Sequence, residues 1–258
     1  MDRQGTTARK PVWGGRRSGF QAGFRFPYPA GSVFQVSALA RHRLPPTLRT
    51  IFLLSPASCN GRRASILLNP AAEFPLAVRL RREGVPLGEA FAFLSGLYFR
   101  GKLAYAQAFA RRRDGDGGVW VITTSRGLLA ASSLVTTADL MEYARVDISV
   151  GEPRYREPLE RDAARLAGSL QRRERVVLLG SIASQKYVDI LLGSLGERLL
   201  FPVDFVGRGD MSRGGLMLRC VEEGRPLRYT PVAGATRRGP RPPRLAPRRR
   251  RPGVEAPM

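Results

Sequence analysis

The sequence is poor in histidine and cysteine, and each shortage excludes a class of chemistry. His42 is the only histidine and lies near the N-terminus. A core drawn from the rest of the chain therefore has no HExxH zinc site, no Ser-His-Asp triad and no Cys-His dyad. Cys59 and Cys220, the only cysteines, form no CxxC pair. Their spacing predicts no disulfide framework and no zinc site, which fits a reducing cytoplasm.

Lysine and long apolar runs are scarce as well. Only Lys10, Lys102 and Lys186 occur, so nearly all basic residues are arginine. We interpret this as GC-biased coding, although arginine also suits bidentate contacts with phosphate. No apolar run approaches 18 residues, so we predict no membrane span. Acid–base chemistry in the core would fall to carboxylates, Tyr, Lys or Cys, and we predict no metal and no cofactor.

The formal charge of +22 is concentrated at the two ends of the chain. Residues 1–50 hold nine Lys or Arg and one acidic residue, and residues 233–258 hold eight Arg and one acidic residue. Neither end shows a period of 2 or 3.6. We predict a non-globular N-terminal extension over 1–50, with an over-extended start site as the favoured explanation. A single α/β domain over 51–232 and a disordered Arg/Pro-rich tail over 233–258 should follow.

The middle of the chain alternates short apolar strands with amphipathic helices. Strands are predicted over 50–55, 119–125 and 175–181, at "RLLFP" and, at an edge, in "LRYTPV". Helices are predicted over 97–113, in "TTADLMEYA" with Thr137 as N-cap, and in three later segments. This pattern predicts an α/β fold with an open, mainly parallel sheet of about four to five strands and helices on both faces.

Polar residues follow each predicted parallel strand. Ligands of open α/β sheets bind outside the carboxyl ends of the strands. We therefore expect Ser55, Cys59, Ser125, Ser181 and Asp210 to lie around one cavity. The alternative is that the serines and glycines only make tight turns. The candidate ligand-binding residues are Ser55, Ser58, Asn60, Arg62, Arg100, Lys102, Ser125, Arg126, Gly127, Ser181, Lys186, Arg208, Gly209, Ser212 and Arg213.

The stretch "GRGDMSRGG", which begins at Gly207, predicts a helix N-terminus that binds an anion. Its glycines permit positive φ and close backbone approach. Arg208 and Arg213 stand beside first-turn amides that favour negative charge. Asp210 is either the N-cap of that helix or a carboxylate of the site. A carboxylate between two arginines would have a lowered pKa, which suits a base or a water-positioning group.

Four segments resemble a group of uncharacterised bacterial and phage α/β domains. They are "LSPASCNGRR", "FLSGLYFRGKLAYAQAFA", "VWVITTSRGLLAASSLVTTADL" and "VVLLGS". The resemblance covers roughly residues 51–222 and implies kinship to peroxide-stress-protein and uracil-DNA-glycosylase-like folds, with nucleobase, nucleotide or nucleic-acid ligands. Arg62 or Arg63 stands where that group usually has lysine, and "GRGDMSRGG" is longer than its turn. The residues that match its motifs are Cys59, Phe99, Arg100, Lys102, Ser125 and Gly127.

These observations predict a cytoplasmic α/β domain that binds a phosphate-bearing nucleobase compound, free or within nucleic acid. The sharper hypothesis is an enzyme acting on a glycosidic bond. In it Asp210 positions water or stabilises a developing cation, and Arg208 and Arg213 hold phosphate. Cys59 is a second catalytic candidate whose alternative is a packed thiol. A non-catalytic nucleic-acid-binding module and a phosphometabolite enzyme unrelated to nucleic acid are the alternatives. The oligomeric state is left open.

Overall fold

The computed structural model describes residues 49–110, 118–183 and 185–246. All of them belong to one compact unit of the chain, Pro46–Met258. The predicted N-terminal extension lies outside the described residues except for Arg49 and Thr50, which begin the first strand. Residues 247–258 of the predicted tail lie outside them too.

Eight strands and eight helices form within the described ranges. The strands are β1 Arg49–Leu54, β2 Val85–Pro86, β3 Val119–Ile122, β4 Leu128–Ala130, β5 Leu134–Val135, β6 Glu174–Leu179, β7 Leu199–Pro202 and β8 Tyr229–Pro231. The helices are α1 Arg62–Leu67, α2 Pro75–Arg82, α3 Leu87–Ser95, α4 Leu97–Phe109, α5 Thr137–Ala144, α6 Pro153–Ser169, α7 Gln185–Leu195 and α8 Asp210–Glu223. Short 3₁₀ turns cover Gly196–Arg198 and Val203–Phe205.

Six of the strands form one sheet in the order β4-β3-β1-β6-β7-β8. β1, β3, β6 and β7 are parallel, and β4 and β8 pair antiparallel at the two edges. β2 and β5 form a separate antiparallel pair. The predicted open, mainly parallel sheet is therefore confirmed, with six strands rather than four to five. The extra strand is β4, a three-residue return after a tight turn and too short to leave a pattern of its own.

The central strands are buried on both faces because helices cover both sides of the sheet. In β1, Phe52 and Leu54 point into one core and Ile51 and Leu53 into the other. Helices α1–α5 and α8 pack on the first face, and α6 and α7 pack on the second. This arrangement confirms helices on both faces and explains why the strands read as continuous apolar runs rather than as alternating ones.

The local differences from the sequence-based assignment have simple causes. The predicted helix over 97–113 ends at Phe109, and α1 to α3 were not predicted, because they are short and separated by turns. The predicted N-cap Thr137 is wrong by one residue. Thr136 caps α5, and its hydroxyl and backbone N–H form a reciprocal capping box with Asp139.

The connections place a topological switch point between β1 and β6. From the carboxyl end of β1 the chain continues into α1 to α4 on one face of the sheet. From the carboxyl end of the neighbouring β6 it continues into α7 on the opposite face. Such divergence opens a crevice at the strand ends, where α/β proteins bind ligands.

No helix among the described residues is both long and apolar enough to span a lipid bilayer.

Candidate functional site

Small residues line the crevice where β1 and β6 end. Ser55 follows β1, and its backbone N–H donates to the Leu179 carbonyl at 3.2 Å. Gly180 follows β6. A Cβ atom added there would lie 2.9 Å from Ser55 Cβ and 2.9 Å from the Tyr187 hydroxyl oxygen. Only glycine therefore lets the two strand ends and the Tyr187 hydroxyl come so close together.

Lys102 enters the crevice from α4. Its Nζ donates to the Ser55 carbonyl oxygen at 2.6 Å and contacts Ser55 Oγ at 2.9 Å. The lysine is 1% exposed and the serine 6% exposed. The rings of Tyr98 and Phe99 each lie 4.6 Å from Nζ. None of the ion pairs within the described ranges includes Lys102. An amine is thus buried against a hydroxyl without a bonded carboxylate.

Burial lowers the pKa of the Lys102 amine to about 7, because the charged form loses its hydration. The Asp210 carboxylate opposes this effect, and the Arg213 guanidinium adds to it. A lysine with a pKa near 7 is partly neutral at neutral pH, so its nitrogen can accept a proton. The nearest hydroxyl that can supply one is that of Ser55.

Two tyrosines complete the walls of the crevice. The Tyr187 hydroxyl donates to the Ser181 carbonyl at 2.8 Å. Burial raises the pKa of Tyr187, and its interactions with Ser55 and Ser181 oppose that rise. The Tyr98 hydroxyl is buried and has no hydrogen-bond partner among the described residues. Neither tyrosine belongs to the set predicted from the sequence, although Tyr98 stands one helical turn before Lys102, on the same helix face.

A close crossing of α4 and α8 brings the start of α8 to this crevice. A Cβ atom on Gly101 would lie 2.7 Å from the Gly214 carbonyl oxygen, and one on Gly214 would lie 2.7 Å from the Leu97 carbonyl oxygen. Both distances are far below normal contact, so the crossing requires glycine on both helices. Because Gly101 precedes Lys102 and Gly214 follows Arg213, the crossing sets these two cations near each other.

The helix start in "GRGDMSRGG" is confirmed, but Asp210 is not its N-cap. Gly209 holds that position without any side-chain capping bond, and Asp210 is the first helical residue. Gly207 adopts a φ of 71°. An acidic residue in the first turn interacts favourably with the positive end of the helix. The Asp210 carboxylate also accepts from Arg213 Nη1 at 3.3 Å.

Both arginines of this stretch already bind protein oxygens. Arg213 is 8% exposed and donates to the Phe205 carbonyl from Nε at 3.2 Å and from Nη2 at 3.0 Å. Arg208 donates to the Asp204 carbonyl at 3.0 Å and to Ser212 Oγ and the Pro243 carbonyl, each at 3.3 Å. The hydrogen bonds of the two arginines therefore hold the loop in its conformation, and their guanidinium groups also supply positive charge.

No family model, curated protein or solved structure matches this chain. The resemblance to the bacterial and phage α/β domains stays a prediction, and function is argued from the site itself. Across the described ranges, no group of three or more His, Cys, Asp or Glu side chains is arranged to hold a metal ion.

The turn after β3 forms a polar cluster with α5 instead of with Lys102. Ser125 Oγ donates to Glu142 at 2.5 Å, and Arg126 pairs with Asp139 at 2.6 Å and with Glu142 at 2.8 Å. Gly127, with a φ of 63°, turns the chain back into β4. Two carboxylates surround the one guanidinium, which disfavours a phosphate at Arg126. This cluster borders an open groove of about 630 Å³ between α5 and α6, which Ser125 lines.

The loop after β1 presents a packed thiol. Cys59 is buried, its Sγ contacts the Ala57 carbonyl at 3.9 Å, and burial raises its pKa to about 12. A thiol that stays protonated is a poor nucleophile, so the geometry favours the packed-thiol alternative. Asn60 Nδ2 donates to the Ala144 carbonyl at 2.8 Å, and Ser58 Oγ accepts from the Asn60 N–H at 3.4 Å. Both hydrogen bonds fix the conformation of this loop.

The predicted site residues therefore fall into groups. Ser55, Ser181, Lys102, Arg213 and Asp210 gather at the ends of β1 and β6 and at the start of α8. Ser125, Arg126 and Gly127 belong to the cluster with Glu142. Gly209, Arg208 and Ser212 form the loop and first turn before Arg213. The side chains that remain exposed, with no hydrogen bond or ion pair to another described residue, are Arg62, Arg100 and Lys186.

Proposed function

We propose that this chain is an enzyme that transfers acyl groups, with Ser55 as the nucleophile and Lys102 as its general base. The observation that carries the proposal is the 2.9 Å contact between Lys102 Nζ and Ser55 Oγ in a buried crevice. Serine hydroxyls are weak nucleophiles until an adjacent base removes the proton. The chain beyond residue 48 has no histidine, so a partly neutral lysine is the base that the site offers.

The reaction needs only groups that meet in this crevice. Neutral Lys102 keeps one N–H on the Ser55 carbonyl, which directs its lone pair towards the Ser55 hydroxyl. The hydroxyl oxygen attacks the acyl carbon while its proton moves to Nζ. Collapse of the tetrahedral intermediate breaks the bond to the leaving group, which takes the proton from Lys102. Water then attacks the acyl-serine and loses a proton to Lys102. Collapse of this second intermediate breaks the bond to Ser55 Oγ, which takes the proton back from Lys102, and the acid is released.

The position of the pair in the fold supports a site rather than a purely structural lysine. Ser55 lies at the switch point between β1 and β6, the region where α/β folds bind ligands. A lysine that only stabilised the fold would be better placed with its charge in water or paired, because burial of an unpaired ammonium is costly. A buried amine with a perturbed pKa beside a hydroxyl at the strand ends is a candidate for a functional role.

A second candidate is the glycosidic reaction predicted from the sequence, for which the position of Asp210 is the favourable observation. Its side chain is 64% exposed beside the first turn of α8, so it can meet a ligand in the crevice. There it would position the attacking water. Replacement by Asn separates the candidates, since Asp210→Asn abolishes only the glycosidic reaction. A phosphate-bearing nucleobase ligand and a nucleic-acid-binding module remain predictions.

Labelling by a fluorophosphonate probe tests the proposed nucleophile. We expect the purified protein to gain one probe adduct, located at Ser55 by peptide mass spectrometry, and Ser55→Ala to gain none. Lys102→Met keeps the length and burial of the side chain without its amine. Its labelling rate should fall about 100-fold or more, the usual contribution of a general base.

Lys186→Met is the matched control, because that lysine is exposed, and the amine in contact with Ser55 is that of Lys102. It should label at the wild-type rate. Circular dichroism shows whether each variant is folded. An unlabelled Ser55 in folded wild-type protein, or equal labelling rates in wild type and a folded Lys102→Met, would overturn the proposal.

A further inference from the structure

The crevice holds more buried positive than negative charge. Lys102 and Arg213 are both buried, and Asp210 is the carboxylate that faces them. That carboxylate is largely in water, where its attraction is screened. Buried cations normally have an anion or several hydrogen bonds to balance them. Arg213 has carbonyl partners, yet the site as a whole has one exposed anion for a permanently charged guanidinium and a partly protonated amine.

The Tyr98 hydroxyl is a buried donor without an acceptor. Tyr98 is 7% exposed, and its oxygen forms no hydrogen bond with any described residue. It lies against the first turns of α8, since a Cβ atom on Gly214 would lie 3.0 Å from Tyr98 Cα. Burial raises the pKa of Tyr98, and the Arg213 guanidinium, which approaches the phenol oxygen, opposes that rise. A buried polar group without a partner is unfavourable. Unlike Tyr155, which has such a hydroxyl in the other core, Tyr98 lies beside Lys102 and Arg213, where a bound acceptor would satisfy its hydroxyl.

Further hydrogen-bond donors lie at the start of α8. A guanidinium has five N–H groups, and the bonds of Arg213 to Phe205 and Asp210 use three of them. The 14-residue helix α8 begins at Asp210, and its N-cap Gly209 offers no side-chain cap, which leaves its first amides for another acceptor. All these groups donate hydrogen bonds, so the complementary ligand is one that only accepts them.

We infer that this part of the crevice binds an oxyanion of the substrate, a phosphate or a carboxylate, through the Tyr98 hydroxyl, Arg213 and the first turn of α8. The inference rests on the proposed function, because it gives the substrate class for the Ser55–Lys102 pair: an acyl compound that carries a second, negatively charged group. That group would anchor the substrate while its acyl carbon meets Ser55.

Titration with inorganic phosphate at a constant ionic strength of about 0.15 M tests the inference by calorimetry. Tyr98→Phe removes one oxygen atom and leaves the ring over Lys102. We expect wild type to bind phosphate saturably, and Tyr98→Phe to bind it about tenfold or more weakly, the effect of losing a hydrogen bond to a charged group.

Tyr155→Phe is the matched control. Tyr155 also has a buried hydroxyl without a partner among the described residues, but it lies in the other core, on α6. It should bind phosphate as wild type does. A parallel titration with acetate distinguishes a carboxylate from a phosphate subsite, and saturable binding of either ion that Tyr98→Phe weakens supports the inference.

Two results would overturn it. One is the absence of saturable binding of either ion to wild type. The other is equal binding to wild type and Tyr98→Phe, which would assign the ions to the arginine-rich surface alone. Fluorophosphonate labelling of Ser55 in the same samples separates the two proposals. Labelled Ser55 without anion binding rejects only the anion subsite, whereas anion binding with unlabelled Ser55 rejects the nucleophile.

Discussion

The properties of Lys102 come from its burial in the fold. Its ammonium group would be fully charged on the protein surface, where the pKa of lysine is about 10.4. In the crevice it has two oxygens of Ser55 and two aromatic rings for partners. Those partners replace only part of the hydration that burial removes from the ammonium, so burial favours the neutral amine, and this is the condition for a serine–lysine pair to act near neutral pH.

The labelling of Ser55 should depend on pH through Lys102. Because burial lowers the pKa of Lys102 to about 7, the amine is protonated below that value and cannot accept the serine proton. We expect the labelling rate to rise with pH, with its midpoint near 7 and about tenfold slower labelling for each pH unit below that midpoint. Stopped-time mass spectrometry from pH 5.5 to 8.5 measures the profile. A flat profile across this range would exclude Lys102 as the base.

The α4–α8 crossing is a second source of testable consequences. In Gly101→Ala the new methyl would lie 2.7 Å from the Gly214 carbonyl oxygen, so the two helices must separate. Such overpacking usually costs about 1–3 kcal/mol. We expect a lower urea midpoint and a slower labelling of Ser55, since Lys102 is the next residue along α4.

Gly215→Ala is the control for that substitution. The added methyl would lie 3.5 Å from a Leu245 methyl carbon, an ordinary contact. Alanine has a higher helix propensity than glycine. This variant should therefore be as stable as wild type, or more stable by about 0.5–1 kcal/mol. If urea denaturation shows that Gly101→Ala is as stable as Gly215→Ala, the two helices are packed less closely at this crossing than in the structure.

The strands and helices show what the sequence could and could not predict. β1, β6 and β7 were predicted within one or two residues because buried parallel strands are continuous apolar runs. The helices α1 to α3 were missed because each spans too few turns for a period to stand out. The N-cap rule does not distinguish Thr136 from Thr137, because both are threonines at the start of the same apolar-periodic segment, and the cap at Thr137 is wrong by one residue.

The sequence could predict where the site lies in the fold, but not which side chains contact each other there. Ser55, Ser181, Lys102 and Arg213 were candidates because they follow strands or open helices, and parallel strands deliver their ends to one edge. Their contacts join residues far apart in the chain, such as Ser55 and Lys102. No local sequence pattern indicates that the Arg213 side chain turns inward to a carbonyl oxygen, because its direction depends on the packing between α4 and α8.

The whole chain gives a prediction about its C-terminal segment. Residues 233–246 contain no helix or strand, yet they contact the body of the domain. Arg208 donates to the Pro243 carbonyl, Arg237 pairs with Asp189 at 3.2 Å, and Arg219 donates to the Ala246 carbonyl. A chain cut after Val232 loses all three interactions.

Truncation after Val232 should therefore lower the thermal midpoint relative to the full chain, whereas truncation after Ala246 should keep these contacts and change it less. The expected loss is about 1–3 kcal/mol, because three partly exposed interactions contribute modestly. Differential scanning calorimetry measures the thermal midpoints of the two truncated chains and of the full chain. Equal midpoints for the full chain and the chain cut after Val232 would show that these contacts add no stability.

The borders of the six-stranded sheet bear on how the molecule behaves at high concentration. Each outermost strand, β4 and β8, has only three residues, and β8 ends in Pro231, which has no amide hydrogen. Fibril growth by strand addition needs an edge strand with a long row of unpaired backbone N–H and C=O groups. A short edge strand, or one that contains proline, does not offer such a row. These edge strands therefore oppose fibril formation by a chain whose central strands are almost entirely apolar.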